Sequence, residues 1–391
     1  MSRKNYFMRL SQRLQAIFII ALVVGLALSA WTATLGRAAT EIRVTSFEDK
    51  INTDGFCTLR EAVIAANKNI ASGGGPGECP AGSSTSADMI VLPPGTYTLT
   101  RTDNGKEDSS STGDLDITES VIIAPDPLST PPGSVTIDAS AGYKDRIFHV
   151  LAGNVTIRGV TIAGGNPSLD GGGIYNKATL TIEQSTLTAN KSGGKGGGIY
   201  NAGTLTLTDV TISGNTAKVS GGGVFNNLGT ANINNVTIAA NTADSDANGT
   251  GEGGGIFRGG GTVNFKNTLI GGNADNSAAT KHPDCSGILT SQRYNLIQNT
   301  TGCNISGDTT GNLTGVDPNL GLLQNNGGTT FTHELLVGSP AIEAGNPVAA
   351  SCTATDQRGV PRPQGARSAA GPAPDVLRRR HPGLGRPDLP L

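Results

Sequence analysis

VTIRGVTIAGGN opens at Val155, and the chain then repeats it four times. The copies are LTIEQSTLTAN from Leu180, LTLTDVTISGN from Leu205, ANINNVTIAAN from Ala231 and VNFKNTLIGGN from Val263. A second phrase separates them: GGGIYN at Gly171 and Gly196, GGGVFN at Gly221 and GGGIF at Gly253. These glycine triplets step by 25, 25 and 32 residues. A fixed period of this size marks units that stack, because one unit alone cannot bury its apolar face. Aligned, the first column holds Val155, Leu180, Leu205, Ala231 and Val263, and the third Ile157, Ile182, Leu207, Ile233 and Phe265. The sixth holds Val160, Ser185, Val210, Val236 and Thr268, and the eighth Ile162, Leu187, Ile212, Ile238 and Ile270. Apolar residues alternate with Thr or Asn, and two polar residues at positions 4 and 5 shift the phase. That pattern predicts a strand, a corner and a second strand, each with one face inward. The glycine phrase predicts a third short strand.

Stacked coils turn columns into ladders. Asn190, Asn215, Asn241 and Asn273 form one, Asn176, Asn201 and Asn226 a second, and Tyr175, Tyr200, Phe225 and Phe257 an aromatic one. Asparagine suits such corners because it tolerates left-handed backbone and its amide can bond up and down a stack. A leucine-rich horseshoe would need an LxxLxL frame, and a propeller about 40 residues per blade. Neither is present, so the chain is predicted to be all-β, a parallel β-helix of the pectate-lyase-like solenoid kind. About 25 residues per coil gives nine to eleven coils and a stack of ~45–50 Å.

Composition excludes other classes. The 391 residues include 56 Gly, clustered at corners rather than in every third place, so the chain is not collagen. Aromatics are only 4%, but periodic Val, Ile, Leu and Thr argue against disorder. Residues 1–39 hold five basic and no acidic side chains, and residues 368–391 hold four and two. That leaves 20 basic against 29 acidic in the body, which disfavours nucleic acid as a partner.

Residues 1–39 read as a signal peptide: Arg3, Lys4, Arg9 and Arg13 precede an uninterrupted apolar run, Ala16–Leu28, too short for an ordinary membrane span. A retained N-terminal anchor is the alternative. No later stretch is apolar enough to span, so the body is expected to be a secreted or cell-surface monomer with no membrane span after signal removal. Residues 40–89 form an N-terminal cap. There Thr58 and Glu61 make a capping box, and Leu59, Ala62, Val63 and Ala66 line one face of a helix laid over the open first coil. Residues 90–298 are the β-helix repeats. Residues 299–367, rich in turn dipeptides, are expected to supply C-terminal coils and close that end. Residues 368–391 show no periodicity and are expected to be disordered. Five cysteines in an exported chain favour Cys57–Cys79 and Cys285–Cys303 disulfides, with Cys352 left over.

CTLREAVIAAN, beginning at Cys57, resembles the N-terminal module of secreted proteins whose signature reads CSLREA. The GGGIYN phrases are similar to repeats of polymorphic outer-membrane proteins. The run DPNLGLLQNNGGTTFTHELLVGSPAIEAG, followed by TDQRGVPRPQG, resembles the C-terminal half of choice-of-anchor β-helix proteins. Together these cover about Glu41–Arg367. The resemblance implies a right-handed parallel β-helix displayed at or beyond the cell surface, without an established chemistry. That family continues with a Cys-Asp-Ile-Gly-Ala-Phe-Glu run, whereas this chain reads Ser368-Ala-Ala-Gly and a Pro/Arg-rich tail. The difference suggests a reading-frame change near Arg367, and the missing cysteine would have paired with Cys352. Resequencing this end tests the idea; it fails if no single-base shift restores the run.

Chemical signals are sparse. Arg158, Glu183 and Asp209 could meet on adjacent coils, but they make a poor calcium cluster for a lyase. Asp114-x-Asp116 places two carboxylates on one strand face, the minimum a glycosidase needs. The sharpest motif is DSDANGTGE, which fills the seven-residue excess of the 32-residue repeat. Asp244, Asp246 and Asn248, with Gly249, follow the opening of a calcium loop and Glu252 stands ninth, but position twelve is Gly255 rather than Glu. No cofactor is required on this reading; calcium at Asp244, Asp246, Asn248 and Glu252 is the possible one. The favoured function is non-enzymatic adhesion or glycan binding, with an extracellular polysaccharide or a host or neighbour surface as partner. The alternative is a polysaccharide lyase or glycoside hydrolase acting on an acidic polysaccharide.

Overall fold

The computed structural model describes residues 40–102, 108–129, 134–278, 280–347 and 353–362. The signal segment, Cys352 and the tail beyond Arg367 lie outside the described residues. The described residues form a parallel β-helix with one α-helix, α1, at Leu59–Lys68. No helix among the described residues is long and apolar enough to cross a membrane.

The middle coils contribute to three main ladders, and four of them also to a short fourth one, from Lys191–Ser192 to Ala274–Asp275. The first face runs through Glu41–Arg43, Asp88–Leu92, Val121–Pro125, Asn154–Arg158 and Thr179–Glu183. It continues through 204–208, 230–234, Thr262–Lys266, Cys285–Gln292 and Cys303–Asp308. Those ten rungs span roughly 45 Å. A second face includes Gly95–Thr98, Val135–Asp138, Val160–Ala163 and Thr186–Thr188, and ends at Leu313–Thr314. The third runs from Leu115–Ile117 through Phe148–Val150 and Ile174–Asn176 to Ile256–Arg258. Sequence columns become register partners: Val155, Leu180, Leu205, Ala231 and Val263 stand one above another, all buried. The two hydroxyls in the sixth column are satisfied locally, Ser185 Oγ donating to Glu183 O at 2.7 Å and Thr268 Oγ1 to Lys266 O at 2.8 Å.

The corner between the first two faces is a single left-handed residue, Gly159, Gln184, Asp209, Asn235 or Asn267 in successive coils. The next corner departs from expectation. The left-handed residue is not the ladder asparagine but the one before it: Ala189, Gly214, Ala240 and Gly272. The asparagines are instead buried, and their amides run inside the stack. Asn190 Nδ2 donates to Asn215 Oδ1 at 2.9 Å, Asn215 to Asn241 at 2.9 Å and Asn241 to Asn273 at 3.0 Å. Asn273 donates at 2.9 Å to Asp284, whose carboxylate, an acceptor without donors when ionised, ends the chain of amides. The glycine triplets have a steric cause. Gly196 takes φ +68°, and a Cβ on Gly197 would lie 2.3 Å from the Gly222 carbonyl oxygen of the next coil.

The CTLREA run caps the N-terminal end, and each of its residues has work there. Cys57 is disulfide-bonded to Cys79. Thr58 Oγ1 accepts from Glu61 N while Glu61 Oε2 accepts from Thr58 N at 2.9 Å, the reciprocal capping box. Leu59 and Ala62 enter the main core. Arg60, fully enclosed, pairs with Asp49 at 2.6 Å and donates to the carbonyls of Ser110, Gly113 and Asp114. An arginine so placed is a structural clamp, since removing either charge would strand the other in the core. Cys285–Cys303 forms the second disulfide.

The C-terminal segment differs from its expected place. The last rung, Cys303–Asp308, stays partly open to solvent. The chain beyond it folds into an antiparallel pair, Leu320–Gln324 with Thr332–Leu335, and doubles back along the outside of the second face. The reason is visible on that face. Its outward column reads Thr186, Thr211 and Thr237, then turns apolar at Leu269, Leu296 and Leu313. Leu335 and Ala341 cover these leucines in a small separate core. Farther back the strap becomes polar: Thr330 Oγ1 donates to Gln184 O at 3.2 Å, His333 Nε2 meets Ser213 Oγ at 2.8 Å, and Thr211 Oγ1 donates to Gln357 at 2.9 Å.

Candidate functional site

The outward side of the first face is a planar array of short polar side chains. Its middle column is Thr156, Thr181, Thr206, Asn232 and Asn264, and the column beside it Asn154, Thr179, Thr204, Thr230 and Thr262. The other flank carries Arg158, Glu183, Thr208, Asn234 and Lys266. Rungs ~4.8 Å apart and side chains ~6.7 Å apart along a strand make a two-dimensional grid of donors and acceptors. Threonine is stiff at χ1, so the grid loses little entropy on binding. Thr179, Thr204 and Thr262 are exposed, the middle column is half-buried, and among the described residues no other segment hydrogen-bonds across it.

The other two faces are occupied. The strap lies on the second. On the third, the aromatic column stacks ring on ring: Tyr175–Tyr200 at 4.5 Å, Tyr200–Phe225 at 5.2 Å and Phe225–Phe257 at 5.0 Å between centroids. A sugar stacks on a ring face, and here neighbouring rings cover those faces. Lys195 stands 4.9 Å over Phe225, and only 2% of Phe225 is exposed.

Sequence candidates separate on this frame. Arg158 and Glu183 are register neighbours, but Asp209 sits at the corner beneath the strap, 2.8 Å from Arg362 Nη1 and 3.0 Å from Thr353 Oγ1. Burial raises its carboxyl above the ordinary range against the pull of Arg362. In the DSDANGTGE loop, Asp244 is buried and accepts the backbone N–H groups of Asn248 at 3.0 Å and Gly249 at 2.9 Å. Asp246 is exposed, and Asn248 Oδ1 accepts from Thr250 N at 3.0 Å. Glu252 turns away to Ser286 Oγ at 2.6 Å and His282 Nδ1 at 3.1 Å. The four do not converge in this arrangement.

Carboxylates do gather at the N-terminal end of the third face. Asp114 pairs with Arg146 at 3.2 Å; burial first, then Asp116 and Asp145, push its carboxyl up to about 9. Asp116, fully buried, stands 3.2 Å from His149. Sequence reasoning found the two aspartates and missed the histidine. Aligning LDI at Leu115 with FHV at Phe148 and IYN at Ile174 puts Asp116, His149 and Tyr175 in one column, as the register confirms.

Comparison of the chain with protein-family models, with curated proteins and with solved structures gave no match.

Proposed function

We propose that the chain is an exported, non-enzymatic β-helix that acts outside the cell or at its surface, holding an extended polymer or a neighbouring surface along its first face. The observation that carries this reading is the bare threonine and asparagine grid, which repeats with the coil and so suits a partner that also repeats, such as an extracellular polysaccharide. Resemblance of the CTLREA and GGGIYN phrases to surface proteins supports the location. The test is retention of the purified protein on a polysaccharide panel, beside a Thr181→Lys, Thr206→Lys variant. Retention by at least one polymer, weakened ten-fold or more in the variant, is expected; equal retention of both proteins defeats the assignment to this face.

One observation favours a second reading, hydrolysis or lysis of an acidic polysaccharide: burial and the neighbouring Asp116 raise the Asp114 carboxyl, the direction a general acid needs. Release of reducing or unsaturated ends by the wild type, abolished in Asp114→Asn, would replace the binding reading with this one. Calcium at the Asp244–Glu252 loop is checked by titration of Asp244→Ala, Asp246→Ala; unchanged binding removes that site.

A further inference from the structure

We propose that Asp108, Asp116 and His149 form a site for a divalent transition-metal ion of the zinc class. The site is independent of the polymer-binding face. Among the described residues these are the one group of three His, Cys or carboxylate side chains whose ligand atoms all lie within 4.8 Å of one another. His149 Nδ1 stands 3.2 Å from Asp116 Oδ1 and 3.5 Å from Asp108 Oδ1. Metal bonds of about 2.1 Å, at angles between octahedral and tetrahedral, put neighbouring ligand atoms about 3.0–3.4 Å apart. The two separations measured from Nδ1 thus already stand near the value that a shared ion imposes.

The surroundings hold them there. His149 and Asp116 are buried register partners on adjacent rungs. Ser110 N donates to Asp116 Oδ2 at 3.0 Å, fixing the carboxylate so that Oδ1 faces the imidazole. The loop that carries Asp108 and Ser110 is tied down by Arg60, through the carbonyls of Ser110, Gly113 and Asp114. Asp108 itself lies at the rim, 70% exposed, which leaves an entry path and room for water in the remaining positions.

A separate observation concerns the far side of the ring. His149 Nε2 is buried and has no hydrogen-bond partner. When a neutral ring donates from Nδ1 to Asp116, Nε2 is left as a buried lone pair with nothing to accept. With an ion on Nδ1 the tautomer reverses, and Nε2 carries the hydrogen. The Tyr175 ring lies near-perpendicular to that of His149, 5.3 Å between centroids. An imidazole nitrogen with two carboxylates selects zinc and its neighbours, because calcium and magnesium prefer oxygen-only shells.

The test is calorimetric titration of EDTA-treated, tag-free full chain with Zn2+ and, separately, Ca2+. One zinc per chain is expected, with a raised melting temperature, and at least ten-fold weaker binding in both His149→Gln and Asp108→Asn. Asp108 is exposed, so its variant keeps the fold even where His149→Gln does not. His282→Gln, at the other histidine beside a carboxylate, is expected to bind as the wild type does. Absence of zinc binding overturns the proposal. Binding undiminished in Asp108→Asn, or lost in His282→Gln alone, overturns it as well.

Discussion

Asn215 shows how much one residue carries here. It accepts from Asn190 through both N at 3.1 Å and Nδ2 at 2.9 Å, and donates to Leu187 O and Asn241 Oδ1. Replacing it with alanine leaves several buried groups without partners at once, each costing about 1–3 kcal/mol. Asn215→Ala is therefore expected to lose at least about 2 kcal/mol in urea denaturation. Asn227, a corner asparagine outside the ladder and half-exposed, is expected to tolerate the same change within about 0.5 kcal/mol. The ladder's existence was legible, since a repeated column of one polar residue has no other simple cause. Which residue takes the left-handed corner was not, because alanine at 189 and 240 gives no hint of positive φ. Intrinsic preference there yields to the hydrogen bonds of the buried amide beside it.

At the scale of elements, the cap helix followed from local signals, a capping box and an apolar face; the structure adds a left-handed Asn69 at the C-cap. The strap did not. Its partners lie about 120–170 residues away in sequence, and neither side alone shows a period. The outward Leu269, Leu296 and Leu313 were the available sign, hidden because they occupy a position that earlier coils give to threonine. The strap also carries a titratable lock. Burial lowers the His333 pKa below its ordinary value, and its neutral ring bridges Gly321 O at 2.7 Å and Ser213 Oγ at 2.8 Å. In the unfolded chain histidine protonates near 6.5, while the folded ring stays neutral, so the unfolded state binds more protons just below that pH. The strap's stability is thus full above about pH 6.5 and declines as the pH falls towards the depressed folded value. Hydrogen exchange of residues 320–335 is expected to speed up between pH 7.5 and 5.5, beyond the intrinsic pH effect, and this extra change should vanish in His333→Gln.

For the whole molecule, the periodic hydrophobic columns gave fold, coil number and core, because stacking demands identical residues at identical places. The candidate sites were less visible. A grid is a property of side chains from different coils, and the Asp116–His149 neighbourhood joins a loop to a rung outside the regular repeat. The strap adds a constraint at this scale. Its polar contacts bind Gln184, Thr186, Asp209, Thr211, Ser213 and Asn235, while its apolar end sits on Leu269 and Leu296. Each added coil would lengthen the covered face by ~4.8 Å. Duplicating residues 154–178, outside the covered stretch, is expected to leave the melting temperature within a few degrees. Duplicating residues 204–229, inside it, is expected to free the strap to protease. The strap therefore acts as a ruler: a solenoid that could in principle be any length is held to one count of coils over this stretch, and growth is left only to the end nearer the N-terminus.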